Sequence, residues 1–409
     1  MKNRHLAILA ATAGIAVLGG YIVSLPDDED SPTLHPASAG SRPLVSGLAQ
    51  KAQDVSTVRV ESASGAFEFS RRGDASEWVI ANKGGYPADS RAVRRLIAAA
   101  AESKIVEEKT SNPDFYSRLG VDDLATPGSK SVRVSFLSDD DATLAEVVVG
   151  NRAETPSGGG PDVSRRFARR AGEAETLLVT FDSDVRTDLA AWADTSIIQL
   201  PGERVKSATF TVPRPAGEPG TVAVRRGSNT ESTFTIDNLP EGRTAKDQYA
   251  AGRAAQALSF LSFEDVRPAT EVKFDGPGVS TAEFMMFDGL RIVVQTVGVD
   301  GVEWHRLTAS VVSPRSEQPA ASPIETAPAA NAEVSLDALP PTAPAPEVSH
   351  VDPEERARLD EEAEALNKRL SPWVFRLQDF RAAQMRTTLE DLLAPAAPVV
   401  PEPVPASPE

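Results

Sequence analysis

The side chains best suited to chemistry are scattered along the chain. Its four histidines, His5, His35, His305 and His350, fall in separate segments, so no pair has the short spacing of a metal site. A Ser-His-Asp hydrolase would have to recruit His305, and no G-x-S-x-G elbow accompanies it. Beside Trp304, that histidine reads as a sheet-surface residue. The acidic runs Asp27 to Asp30 and Asp139 to Asp141 lack the D-x-D-x-D-G frame of a calcium loop and read as solvated turns. A glycine cluster from Ser157 to Pro161 has no following Lys-Ser/Thr and opens no helix; it reads as a hairpin tip, not a phosphate cradle. Arg165, Arg166, Arg169 and Arg170 bracket Phe167 and Ala168. They present a basic edge to an acidic ligand or, more simply, form an exposed strand face that discourages edge pairing. Arg72-Gly73-Asp74 reads as a turn. These residues nominate no catalytic, cofactor-binding or metal-ligating set, and the expectation is a protein that is not an enzyme.

Composition narrows the class. The chain has 409 residues, 41% of them hydrophobic, with a formal charge of -17 and no cysteine. Its length suffices for two packed units plus tails. An isoelectric point near 4.8 argues against nucleic acid as a partner and against broad adhesion to anionic lipid. Without cysteines there is no disulfide bracing and no thiolate chemistry.

The elements that position everything else begin at the N-terminus. Leu6 to Leu25 carries no charge over twenty residues, which as a helix is about 30 Å long, the thickness of a bilayer core. Lys2 and Arg4 precede it and Asp27, Asp28, Glu29 and Asp30 follow. One transmembrane anchor is expected, with residues 1–5 cytoplasmic and the bulk of the chain on the far side of the membrane. A cleaved signal peptide is the rival reading, but the apolar run is long and V-S-L-P-D-D offers no clean small-x-small site. Residues 26–43, acidic and then Ser/Pro/Ala-rich, read as a disordered tether.

From Leu44 the pattern turns to alternation. Val58 and Val60, Phe67 and Phe69, and Trp78 and Ile80 mark three short antiparallel strands. Asp89 or Ser90 then caps a helix whose Val93, Leu96, Ile97 and Ala100 share one face. Ile105 and Val106 resume an extended run, and a short helical insert closes at Gly120. Val132, Val134 and Phe136 return through the acidic turn to Val147 and Val149, Leu177 and Val179 follow, and a short helix carries Leu189 and Trp192.

The same order then recurs. Val205 to Val212, Val222 with Val224, and Phe234 with Ile236 repeat the strands; Ala254, Ala257, Leu258 and Leu261 repeat the helix spacing; and Phe284 to Val294 repeat the hairpin, with Trp304 and Leu307 beyond it. The expected fold is α+β: a tandem duplication of a mixed antiparallel sheet-plus-helix module. Its units are 44–200 and 201–312. A Pro/Ala-rich linker (313–350) leads to a helix-strand-helix segment (351–394), and 395–409 read as a disordered tail.

Several short stretches follow one another in a telling order: Trp78-Val79-Ile80, Tyr86-Pro87-Ala88-Asp89, Lys109 to Pro113 with Leu119-Gly120-Val121, Val148-Val149-Gly150, Trp192-Ala193-Asp194 before Ile197-Ile198, and Leu370-Ser371-Pro372-Trp373-Val374-Phe375. In that order they resemble a bacterial family called domain of unknown function 4340. The proline spacer is longer than that family's connection. The resemblance implies a single-pass envelope protein associated with gliding-type ABC transporters, and it carries over no catalytic residues. The expected function is therefore a non-catalytic periplasmic accessory or scaffold of an ABC-type transport system, contacting its permease or auxiliary subunits, with the inner membrane engaged through residues 6–25. A binding module for an envelope glycan or lipid is the alternative, and an envelope hydrolase a remote one.

Overall fold

The computed structural model describes residues 42–73, 77–154, 164–312 and 353–395. The expected anchor at 6–25, the tether up to residue 41, the glycine-rich tip at 157–161, the linker at 313–350 and the tail from 396 lie outside them. So do Asp74, His5, His35 and His350.

Alternation does form strands. The first nine are β1 (Thr57–Ser62), β2 (Gly65–Arg71), β3 (Trp78–Ile80), β4 (Tyr86–Pro87), β5 (Ile105–Thr110), β6 (Val132–Leu137), β7 (Thr143–Arg152), β8 (Arg165–Arg170) and β9 (Thr176–Thr180). They make one sheet in the order β4-β3-β2-β1-β6-β7-β8-β9-β5. Val58 lies opposite Phe69 on one side and Phe136 on the other, and Val60 opposite Phe67 and Val134. A period of two thus sends all six side chains to one buried face.

The next nine are β10 (Ser196–Ile198), β11 (Val205–Val212), β12 (Gly220–Arg225), β13 (Thr235–Ile236), β14 (Leu261–Pro268), β15 (Ser280–Met286), β16 (Leu290–Val299), β17 (Val302–Val311) and β18 (Trp373–Leu377). Their order is β10-β14-β18-β17-β16-β15-β11-β12-β13. Read from opposite ends, the two sheets share a run of eight strands: β3-β2-β1-β6-β7-β8-β9-β5 matches β13-β12-β11-β15-β16-β17-β18-β14. Phe210 and Phe284, edge to face at 5.8 Å, hold the places of Val60 or Val58 and their β6 partners. The strand matching β9 comes from residues 373–377, far along the chain.

Helices are few and mostly short: α1 (Leu48–Lys51), α2 (Ser90–Glu102), α3 (Tyr116–Leu119), α4 (Ala250–Ala255), α5 (Pro353–Leu370), α6 (Asp379–Met385) and α7 (Leu389–Leu392). Asp89 caps α2, its Oδ1 accepting from the backbone N–H of Arg91 at 2.9 Å and of Ala92 at 3.3 Å. Val93, Leu96, Ile97 and Ala100 are buried, as their spacing requires. Its counterpart α4 stops early. The expected helix through Leu261 ends at Ala255, the chain turns at Phe260 with φ +56°, and Leu261 opens β14. Gly252 inside the short helix weakens its propensity, and a left-handed residue cannot continue a right-handed helix.

These observations correct the α+β expectation. The described chain is mostly β, two nine-stranded sheets whose strand pairings are all antiparallel. Among the described residues no helix is long and apolar enough to cross a membrane, and the transmembrane helix expected at 6–25 lies outside them. The physical reason for the correction to the fold class is that alternating runs outnumber helical ones, and the second copy of the helix lacks the length to count as a layer.

One hydrophobic core runs through both halves, from Leu44 and Phe69 to Phe375 and Leu392. Where the halves meet, Tyr86 packs edge to face on Phe263 (5.4 Å) and Trp373 (5.0 Å), and Lys83 Nζ pairs with Asp265 at 2.6 Å. Gly84 sits there with φ +66°, and a Cβ on it would come within 2.2 Å of Pro268 Cγ. Only glycine permits that approach. Helix α5 is pinned to the second sheet by Asn367, which donates to the carbonyl of Ala309 and accepts from its N–H, both at 2.8 Å.

Candidate functional site

Two surface features stand apart from the packing, one polar and one aromatic. The polar one is a cavity of about 490 Å³ between α2 and the loop after β9. Helix α2 contributes Ala92 and Arg95, three apart and so on one face; the end of β7 contributes Arg152; the loop contributes Asp182, Ser183, Asp184 and Arg186; and Trp192 closes one wall. Arg152 and Arg166 both donate to Asp184 Oδ1, at 2.8 and 2.6 Å. Burial works to raise the Asp184 pKa, but the two guanidinium charges outweigh it and hold the carboxyl below its ordinary range. The loop is fixed by Trp192 Nε1, which donates to the Arg186 carbonyl at 2.9 Å, and by the Arg186 to Asp188 pair at 2.8 Å. Arg95 is exposed and has no ion pair among the described residues.

Beyond Arg186 lies a second cavity of about 380 Å³, lined by Ser62, Ser64, Ser129, Lys130, Ser131 and Thr187 among others. Its serines pair as Ser62 with Ser64 at 2.9 Å and Ser129 with Ser131 at 2.8 Å. A third cavity, beside Glu303 and Asp379, has its arginines already engaged: Arg376 with Glu264 and Arg386 with Glu303, each at 2.7 Å.

The aromatic feature is an edge of the second half. Phe260 is 75% exposed and Phe380 58%. Arg381 lies over the Phe380 ring at 5.1 Å and donates to the Ser259 carbonyl at 3.4 Å, which ties the Phe380 helix to the turn that carries Phe260. Phe260 holds its left-handed φ without glycine's freedom, a conformation that costs about 1–2 kcal/mol.

The residues singled out by their chemistry fare differently. Strand β8 is internal, between β7 and β9, so its arginines do not decorate an exposed edge. Arg169 is buried and donates to the carbonyls of Val121 and Glu173, with its guanidinium over Tyr116 at 4.9 Å. Arg170 Nε donates to the Leu44 carbonyl at 2.6 Å, and Arg166 alone reaches toward the cavity through Asp184. His305 is not on the sheet surface: it is fully buried, its Nδ1 3.2 Å from the Phe375 carbonyl. Asp139 to Asp141 form the β6–β7 turn, where Asp140 accepts from Ser138 Oγ. Among the described residues no His, Cys, Asp and Glu cluster could hold a metal ion. Neither Arg95 with Arg152 and Asp184, nor Phe260 with Phe380, is visible as a motif. Each set joins elements far apart in sequence.

The short stretches that carry the family resemblance turn out to be structural joints. Ser90 Oγ accepts from the Trp78 N–H at 2.9 Å, the Ala88 N–H donates to the Trp78 carbonyl at 2.9 Å, and the Asp89 N–H to the Trp192 carbonyl at 2.6 Å. Trp192 in turn packs on Phe69 at 4.9 Å. Leu119-Gly120-Val121 meets Val148-Val149-Gly150 so closely that a Cβ on Gly150 would lie 2.4 Å from the Leu119 carbonyl oxygen. Three of these stretches therefore gather at the start of α2, beside the arginine cavity.

Fold and surface together define a protein of two antiparallel sheets sharing one core, with a basic cleft on one half and an aromatic edge on the other. Residues 78–277 match the model of the family described as Domain of unknown function (DUF4340), which supports placing that stretch in the family. No curated protein matches the chain, and no solved structure does.

Proposed function

We propose that this protein is an accessory or scaffold component of an ABC-type transport system, held at the periplasmic face of the bacterial inner membrane and docking on the transporter's permease or auxiliary subunits. The observation that carries the docking role is Phe260: a bulky ring, 75% exposed, on strained backbone, in a turn held to the Phe380 helix by Arg381. Folding alone gives no reason to hold an aromatic in water on a left-handed residue, and exposed aromatics beside an arginine are the usual anchors of protein interfaces. The envelope location draws on the uncharged run 6–25 with its basic and acidic flanks. The transporter as partner draws on what the family resemblance implies.

A photo-cross-linking residue at position 260, introduced into the full chain in intact membranes, tests the reading. The expected product is a covalent adduct with a transporter subunit, absent when the same group is placed at Asp140 on the far turn. Adducts with lipid alone, or no specific adduct, would overturn it. Phe260→Asn provides a second readout with opposite signs. Asparagine tolerates the left-handed conformation, so stability should rise by about 0.5–1 kcal/mol while subunit capture falls.

A further inference from the structure

We infer that the arginine cavity and the serine-lined cavity beside it form one binding groove for an acidic glycan, the first taking a sugar carboxylate and the second the hydroxyls of a neighbouring ring. This inference is independent of the docking edge, which lies on other elements.

The size is right. About 490 Å³ and about 380 Å³ each fall in the range of small-ligand pockets, roughly 300–1,000 Å³. The two share Arg186, so the 182–188 loop stands between adjoining subsites. Charge selects an anion. Asp184 is shared by Arg152 and Arg166, which leaves that trio one positive charge in excess; Arg95, with no ion pair among the described residues, adds one and Asp182 takes one away, so the cavity stays net positive by one. This local excess belongs to a chain whose net charge is -17. The planar guanidinium groups of Arg95 and of the exposed Arg152, which gives one N–H to Asp184, suit a planar carboxylate, which accepts two parallel hydrogen bonds.

Other features select a sugar acid over a bare inorganic anion. Asp182 lines the same cavity; its carboxylate repels a dianion yet accepts readily from a sugar hydroxyl. Ser183 adds a hydroxyl, and the second cavity adds four serine hydroxyls with Lys130 at its rim. Hydroxyl groups both donate and accept, as sugar hydroxyls do. Apart from Ala92, Ala191 and Trp192 the first cavity is lined by charged and polar side chains, so a lipid tail has little to bury against there.

The test is calorimetric titration of the purified full chain with trigalacturonate, neutral galactotriose and inorganic phosphate. Trigalacturonate should bind, galactotriose at least tenfold more weakly, and phosphate should fail to displace the oligouronide at equal concentration. The Arg95→Gln/Arg152→Gln double variant should lose at least tenfold in affinity for trigalacturonate with its thermal unfolding unchanged. Since Arg152 holds Asp184, Arg95→Gln alone provides the check should the double variant fold poorly; its exposed position on α2 leaves the fold intact, and a threefold or larger loss is expected. No binding of trigalacturonate, equal binding of the neutral sugar, displacement by phosphate, or unchanged affinity in a folded variant would each overturn the inference.

Discussion

His305 shows what burial does to a single residue. It sits on β17, fully enclosed between β16 and β18, Nδ1 toward the Phe375 carbonyl, and opposite Thr296 in the ladder. Glu303 and Arg386, paired with each other at 2.7 Å, are the charged groups on that side. Burial pushes the imidazole pKa down from 6.5 to about 4, the hydrogen bond to Phe375 opposes the shift, and the Arg386 charge adds to it. A histidine depressed in the folded state contributes stability that is full above 6.5 and is lost as pH falls from there toward 4. The unfolded chain takes up the proton and the folded one resists. Between pH 7.5 and pH 5 this one residue should remove about 2 kcal/mol. Urea unfolding of wild type and His305→Gln at both pH values measures it: the wild type should lose that much more than the variant. Equal losses in the two proteins would show that His305 is not the group responsible.

At the scale of elements, the second sheet depends on a strand that arrives late. β18 lies between β14 and β17, and Leu359, Leu370, Phe375, Leu377 and Met385 of the C-terminal segment are all buried. Each such side chain contributes about 1.5–3 kcal/mol by leaving water, so together they match the whole stability of an ordinary domain, roughly 5–15 kcal/mol. A chain ending at residue 312 should therefore leave two unpaired strand edges and aggregate. Size-exclusion chromatography and limited proteolysis check this; a monomeric truncated chain with a cooperative melt would contradict it. The helix of each copy makes the complementary point. Asp89, Val93, Leu96, Ile97 and Ala100 declare α2 plainly, whereas Ala254, Ala257, Leu258 and Leu261 have the same spacing and yield only α4. Spacing names a face, but Gly252 and the Phe260 turn set where the helix ends.

For the molecule as a whole, the two sheets fold as one body because their cores are continuous and Tyr86 bridges them. Burial pushes the Tyr86 hydroxyl pKa up to about 12, Asp194 adding to the shift and Arg369 opposing it, so the ring stays neutral and donates to the Asp194 carbonyl at 3.3 Å. Each aromatic pair it makes is worth about 0.5–1.5 kcal/mol beyond area. Tyr86→Ala should split a single thermal transition into two, seen by calorimetry, with the half containing Trp373 melting first. One unchanged transition would mean that the halves are coupled elsewhere.

The sequence by itself determined the local periods. Alternating pairs such as Val58 and Val60, the Asp89 cap and the recurrence of one strand order in two halves follow from the steric geometry of strands and helices, which acts over a few residues. Tertiary structure alone decided that β8 is internal, that His305 is buried, and that residues 373–377 complete a sheet begun at 196. It alone brought Arg95, Arg152 and Asp184 to one cavity and Arg381 to the Ser259 carbonyl beside Phe260. The reason is range: periodicity is written in neighbours, whereas a cleft or an interface is made by residues whose separation in the chain carries no information about their distance in space.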